Sequence, residues 1–203
     1  MKTFQLNAEV RKEIGKKGSK ALRKQELIPA VLYGLEENLS ITVSQDAVRK
    51  LIYTPDIYLV EMSLAGGKKT CILQDIQFHP VTDKILHIDF LEVKEDKPII
   101  IEVPVVLEGH AVGVRAGGKL SLDMRKLKVK ALYNNVPEKL TIDVSKLGLG
   151  KTIQVGSLSF DNIELLNAKN AVVAAVRLTR AARGAAAKAA QGGDDEEETE
   201  DEE

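Results

Sequence analysis

The chain has 203 residues, room for one or two domains, and its single cysteine, Cys71, excludes an intrachain disulfide and a thiolate metal cluster built within one chain. Its formal net charge of -1 hides an asymmetry: nine acids fill residues 194–203, and setting those nine aside from -1 leaves +8 for residues 1–193. That division suits an anionic partner for the body and a solvated acidic tail.

Aromatic residues make up 4% of the chain and tryptophan is absent, so the core must be built from Val, Ile and Leu, which favours β structure. No stretch approaches the ~18 apolar residues of a membrane span. Residues 1–10 alternate polar and apolar positions instead of forming a signal peptide's apolar run. The expectation is a cytoplasmic protein.

In chain order, Phe4, Leu6, Ala8 and Val10 alternate with polar residues and predict one strand with a single buried face. It runs into RKEIGKKGSKALRK, residues 11–24, which sets Arg11, Lys12, Lys16, Lys17, Lys20, Arg23 and Lys24 against the one acid Glu13. Gly15 and Gly18 interrupt regular structure, so residues 15–18 read as a mobile loop. Ser19 is the expected N-cap of a short helix over 20–26, ended by Pro29. On that helix Lys20, Arg23 and Lys24 share a face and Leu22 points to the core. The segment is the candidate polyanion contact: glycines let backbone approach a phosphate, a helix N-terminus receives an anion, and Lys and Arg release counterions on neutralising phosphates. A solvated surface patch is the plain alternative.

Strands follow at 30–33 and 39–43. A helix capped by Ser44 comes next, with Val48, Leu51 and Ile52 on its apolar stripe. Segments 57–64 and 70–76 flank Ala65-Gly66-Gly67-Lys68 and read as a hairpin. The strand over 84–93 puts Leu86, Ile88 and Phe90 on one face. Ile85, His87, Asp89 and Leu91 lie on the other, so His87 and Asp89 project side by side, about 7 Å apart along the strand. Cys71 reads as a buried, inert thiol.

The charged, proline-containing segment 94–98 reads as a linker between a first domain over 1–93 and a second over 99–180. The second shows strand patterns at 99–107, 126–132, 140–144 and 171–178 with almost no helical period, so it reads as all-β. Residues 109–118, GHAVGVRAGG, lack the spacing of a dinucleotide or phosphate loop and read as a mobile connection. Residues 181–203 are alanine-rich, then acidic, and are expected to be disordered.

Catalysis finds little support. His87 and Asp89 lack a placed nucleophile, no GxSxG elbow is present, and His79 and His110 offer no metal-ligand spacing. No catalytic residue, metal or cofactor is assigned. An Asp in an RNA site is reasonable, since a carboxylate accepts hydrogen bonds from base amino groups.

With these residues in view, three stretches carry a resemblance: NAEVRKEIGKKGSKALRKQELIPAVLYG, LQDIQFHPVTDKILHIDF and GVRAGGKL. In this order they make the chain resemble the bacterial large-subunit ribosomal protein twenty-five family, in its longer general-stress form. The resemblance covers about residues 3–180. It implies an N-terminal β-barrel with short helices, an added β-rich domain, and a structural protein that binds 5S ribosomal RNA near loop E in the central protuberance, beside neighbouring ribosomal proteins. Arg11 and Lys12 match the family's basic pair after the first strand. Lys16, Ser19, Lys20 and Arg23 match polar positions of the loop and helix. Tyr33 matches the tyrosine after the second strand, and Gln74, His87 and Asp89 match polar positions on the sheet. Lys20 stands where arginine is expected, which keeps the charge but loses the planar fork. The alternative reading is a stress-induced chaperone-like or protein-binding module. No coiled-coil heptads appear, so a monomer is expected.

Overall fold

A computed structural model describes residues 1–35 and 38–179; the expectation for residues 181–203 lies outside them. The described residues are mainly β, with three short α-helices among them. Its first strands are β1 (Lys2–Asn7), β2 (Glu9–Val10), β3 (Leu27–Tyr33), β4 (Leu39–Ser44), β5 (Tyr58–Leu64), β6 (Gly67–Phe78) and β7 (Ile85–Glu92). Helix α1 (Lys16–Lys24) lies between β2 and β3, and α2 (Gln45–Tyr53) between β4 and β5.

These seven strands form one sheet in the order β1-β5-β6-β7-β3-β4-β2. The topology decides its shape. β1 and β2 occupy opposite ends of that order, yet Ala8 alone separates them in sequence. The sheet therefore curls until its edges meet, which is how a barrel removes unpaired edges. Ala8 makes the corner: its N–H donates to Ser63 O at 3.1 Å, and Arg11 N–H then donates to Ser40 O at 3.0 Å. The single strand expected over 4–10 is thus two. Leu6 and Ala8 are buried as expected, but Val10 is 51% exposed, because the corner at Ala8 moves the chain to the other edge.

The barrel interior is aliphatic. Leu6, Ile28, Ala30, Leu32, Ile41, Val60, Met62, Ile88 and Phe90 converge there, and α2 adds Val48 and Leu51. Ser44 stands at the N-cap of α2 as expected, but its side chain makes no capping hydrogen bond. The β5–β6 hairpin is present, pairing Leu64 with Gly67 across a two-residue turn. Cys71 is buried in this core, its Sγ 3.5 Å from Val60 O, and burial pushes its thiol up to about 12.

Helix α1 differs from expectation. It starts four residues earlier, at Gly15, whose φ of 121° closes the preceding loop, and Ser19 N–H donates to Gly15 O at 3.0 Å. Ser19 therefore sits inside the helix, and Lys16 to Gly18 belong to its first turn. The helix stops at Lys24, not at Pro29. Gln25 N–H bonds back to Leu22 O at 2.9 Å, and Glu26 takes a left-handed φ of 60°. Pro29 is instead a buried residue of β3; it precedes the parallel pairing to β7, which begins at Ala30, so that neighbour asks nothing of its missing N–H.

Beyond β7 the strands are β8 (Ile99–Glu108), β9 (Gly118–Leu122), β10 (Lys126–Ala131), β11 (Leu140–Asp143), β12 (Thr152–Gln154), β13 (Glu164–Leu165) and β14 (Val172–Leu178). They make a four-stranded sheet, β11-β8-β10-β13, and a three-stranded one, β12-β14-β9. Three of them, β9, β12 and β13, were not expected from the sequence. By packing, the chain divides into two compact units. Among the described residues, the first holds 1–104, 128–140 and 160–166, and the second holds 105–127, 141–159 and those from 167 onward.

The glycine-rich segment 109–118 is not the loose connection its composition suggested. It contains a helical turn, α3 (Val112–Arg115), and Gly113 N–H donates to Leu147 O at 2.9 Å. A Cβ on Gly113 would lie 2.6 Å from the backbone of Gly148 and Leu149. Here glycine serves close backbone packing, not freedom of movement.

Candidate nucleic-acid interface

Two elements carry the expected contact residues. The first is α1. None of its residues is buried, its first turn contains no acid, and Lys16 and Lys17 stand there against the positive end of the helix dipole. Among the described residues no ion pair neutralises Lys16, Lys17, Lys20 or Lys24. Two arginines fasten the helix to the barrel. Arg11 Nη1 donates to Ser19 Oγ at 3.2 Å, while its Nε is buried without a hydrogen-bond partner. Arg23 donates through Nε and Nη2 to Leu86 O, at 3.1 and 3.0 Å. Lys12 is exposed in the loop before the helix.

The second element is the outer face of β3, β7 and β6. Ile88 and Phe90 enter the core, so His87 and Asp89 face outward, and His87 Nδ1 lies 2.7 Å from Asp89 Oδ1. Their side chains keep 24% and 31% exposure. A ring that donates from Nδ1 to a carboxylate leaves Nε2 free to meet an external group. On β3, Val31 pairs with Asp89 and Tyr33 with Leu91. Burial pushes the Tyr33 hydroxyl above its ordinary value, with Asp89 and then Asp75 adding to the shift, so it remains a protonated donor at neutral pH. Gly34 makes this placement feasible: its φ is 131°, and a Cβ there would lie 2.8 Å from Leu91 Cδ1.

Two irregularities shape this face. The β6–β7 register skips Gln74, so Gln74 and Asp75 together oppose Asp89. It also skips Leu86, between the pairs Gln77–His87 and Phe78–Ile85. The Leu86 carbonyl, set at this bulge, is the acceptor for Arg23. The same bulge puts Ile85 in the core, not on the outer face with His87 as strict alternation predicts. Asp75 and Gln77, paired with Asp89 and His87, were not singled out in the sequence. A signal was present. Leu73 and Ile76 both pack on the core three residues apart, as Ile85 and Ile88 do, and strict alternation cannot bring such residues to one face.

The structure thus brings Tyr33, Gln74, His87 and Asp89 onto one wall and joins α1 to that wall through Arg23. Lys16 and Lys20 stand exposed on the helix, whose charge complements phosphate, whereas the wall carries two carboxylates, a histidine and a phenol suited to hydrogen bonding.

The model of the Ribosomal L25p family matches residues 6–90, and that of the Ribosomal protein TL5, C-terminal domain, matches residues 98–180. The chain belongs to the ribosomal L25p family. It is similar to proteins named Large ribosomal subunit protein bL25. The one from Porphyromonas gingivalis is 66% identical over 187 residues, covering 91% of this chain and 97% of the relative. That from Parabacteroides distasonis is 62% identical over 190 residues, covering 91% and 98%. That from Phocaeicola vulgatus is 55% identical over 192 residues, covering 91% and 97%. The L25p family is one of structural ribosomal proteins and not of enzymes, in keeping with a site that offers hydrogen bonds and charge.

Proposed function

We propose that this protein is a structural component of the large ribosomal subunit, in the cytoplasm, and that it binds 5S ribosomal RNA near loop E in the central protuberance. Residues 1–93 form the RNA-binding domain, 94–98 the linker and 99–180 a second domain. The observation that carries the reading is the juxtaposition of a helix with nothing buried and no neutralising acid to a polar barrel wall, linked by Arg23 to the Leu86 carbonyl. Lys16 and Lys20, with Lys12, take phosphates. Tyr33, Gln74, His87 and Asp89 meet 2′-hydroxyls and base edges, as protein contacts do on a wide RNA minor groove. Arg11, Ser19 and Arg23 position the helix, and Arg23 uses a single carbonyl for two N–H groups, leaving guanidinium donors for RNA.

The division of labour follows from charge. A phosphate approaching Asp89 and Asp75 is repelled, whereas a hydroxyl or amino group is accepted. The wall therefore selects register and the helix supplies attraction. Equilibrium binding of the full chain to 5S ribosomal RNA, with transfer RNA as competitor, tests the reading. Binding that survives the competitor supports it. Binding abolished by transfer RNA reduces α1 to a generic basic patch.

A further inference from the structure

The second compact unit carries its own surplus of positive charge. Its described segments, 105–127, 141–159 and 167–179, hold eight Lys and Arg against three acids. Four of the eight lie on two acid-free stretches that the fold packs together: Arg115 and Lys119 on residues 110–122, Lys146 and Lys151 on residues 144–151. The packing is close. Gly113 N–H donates to Leu147 O at 2.9 Å, and a Cβ on Gly113 would lie 2.6 Å from Gly148 C and Leu149 N. A Cβ on Gly118 would lie 2.6 Å from Leu149 Cδ1. β14 joins the same junction: Gly150 N–H donates to Val176 O, and Val176 N–H to Lys151 O, both at 3.0 Å. The next residue of β14, Arg177, stands directly opposite Lys119 of β9.

All five of these basic residues are exposed. Arg177 reaches Asp123 at 2.9 Å, but no ion pair engages Arg115, Lys119, Lys146 or Lys151 among the described residues. The Asp143 carboxyl is held below its ordinary value chiefly by hydrogen bonds from Ser145, with Lys146 adding to the shift without an ion pair. Like charges directly opposite on paired strands repel, so Lys119 and Arg177 are held together at a cost that an external anion removes. We propose that this junction is a second RNA contact, in which Arg115, Lys119, Lys146 and Lys151 take phosphates of a ribosomal RNA duplex. Gly117 and Gly150, with φ of 86° and 72°, leave bare backbone beside the cations, so a phosphate can approach closely. For a member of a ribosomal protein family, the polyanion at hand is RNA. No residue of α1 takes part, so this contact stands or falls separately from the 5S assignment.

Counterion release sets the signature: four neutralised phosphates steepen the fall of log affinity with log salt by about three to four units. The test adds a mixed-sequence RNA duplex to the full chain and follows the backbone amide resonances of residues 113–119 and 146–151. It then measures duplex affinity against salt for the full chain and for a full-length variant carrying Arg115→Gln, Lys119→Gln, Lys146→Gln and Lys151→Gln. The duplex should move these resonances, also in a Lys16→Ala, Lys20→Ala background. The glutamine variant should lose about 10-fold in affinity and flatten the salt dependence by about three units. A variant with Arg115→Lys, Lys119→Arg, Lys146→Arg and Lys151→Arg should bind as the original does. Unmoved resonances overturn the proposal, and so do unchanged affinity and slope in a folded glutamine variant. Loss of the shifts in the Lys16→Ala, Lys20→Ala background overturns it as well, because the duplex then binds at α1 alone. Equal shifts with polyglutamate at the same charge concentration overturn the assignment to RNA, since the junction would then accept any polyanion.

Discussion

Helix α1 and strand β7 carry the proposed contact residues, joined through Arg23 and the Leu86 carbonyl, but they are held in opposite ways. Every second residue of β7 around the site is locked in the core: Ile88 and Phe90 are 0% exposed, and His87 and Asp89 stand between and beside them. Their position is set by the barrel's own stability. Helix α1 buries nothing, and its order rests on two arginine contacts and on its backbone hydrogen bonds. A nine-residue helix is marginal alone in water. If the proposed function holds, the wall is a preformed template and the helix an adjustable clamp, and mutations in the two should fail differently.

The largest effect is expected inside the wall. Phe90→Ala should cost about 3–5 kcal/mol of stability, visible as a lower denaturant midpoint, and RNA binding should fall with the folded fraction. A stable variant with lost binding would mean that the wall is not anchored as described. Next comes the clamp. Lys16→Ala with Lys20→Ala should leave thermal stability unchanged, weaken 5S binding by roughly 10-fold, and flatten the salt dependence by about one to two units. An unchanged slope would take both lysines off the phosphates.

His87→Ala should sit between these modes, weakening binding by about 1 kcal/mol with the barrel still folded. A large drop in melting temperature would reassign His87 to structure. The smallest expected effect is chemical. With its thiol pushed up to about 12 by burial, Cys71 stays protonated through neutral and mildly alkaline pH. It should react with a thiol reagent at pH 8 only after unfolding; rapid reaction in the native protein would show that the core side of the wall opens.

Legibility in the sequence followed the same division. Alternation located β3, β5 and β7, and the aliphatic composition foretold the core, because each strand buries one face. The split at Ala8 escaped, since alternation continues through Val10 and only the pairing of β2 with β4 reveals the corner. Position of α1 escaped too: Ser19 is a good N-cap residue, but Gly15 captured the role through a φ of 121°. On the wall, His87 and Asp89 were readable, yet Asp75, Gln77 and the Leu86 carbonyl were not, because two bulges shift parity there. In the second half, the glycines of 109–118 resembled a mobile loop by composition, and only their neighbours show that Gly113 is a packing position.

The most direct measurement of the central claim is amide hydrogen exchange of the full chain with and without 5S ribosomal RNA. A clamp that tightens on its ligand predicts a marked gain in protection over residues 15–24, with little change in the strand amides around Ile88 and Phe90. Equal exchange of residues 15–24 in the two states would contradict the account.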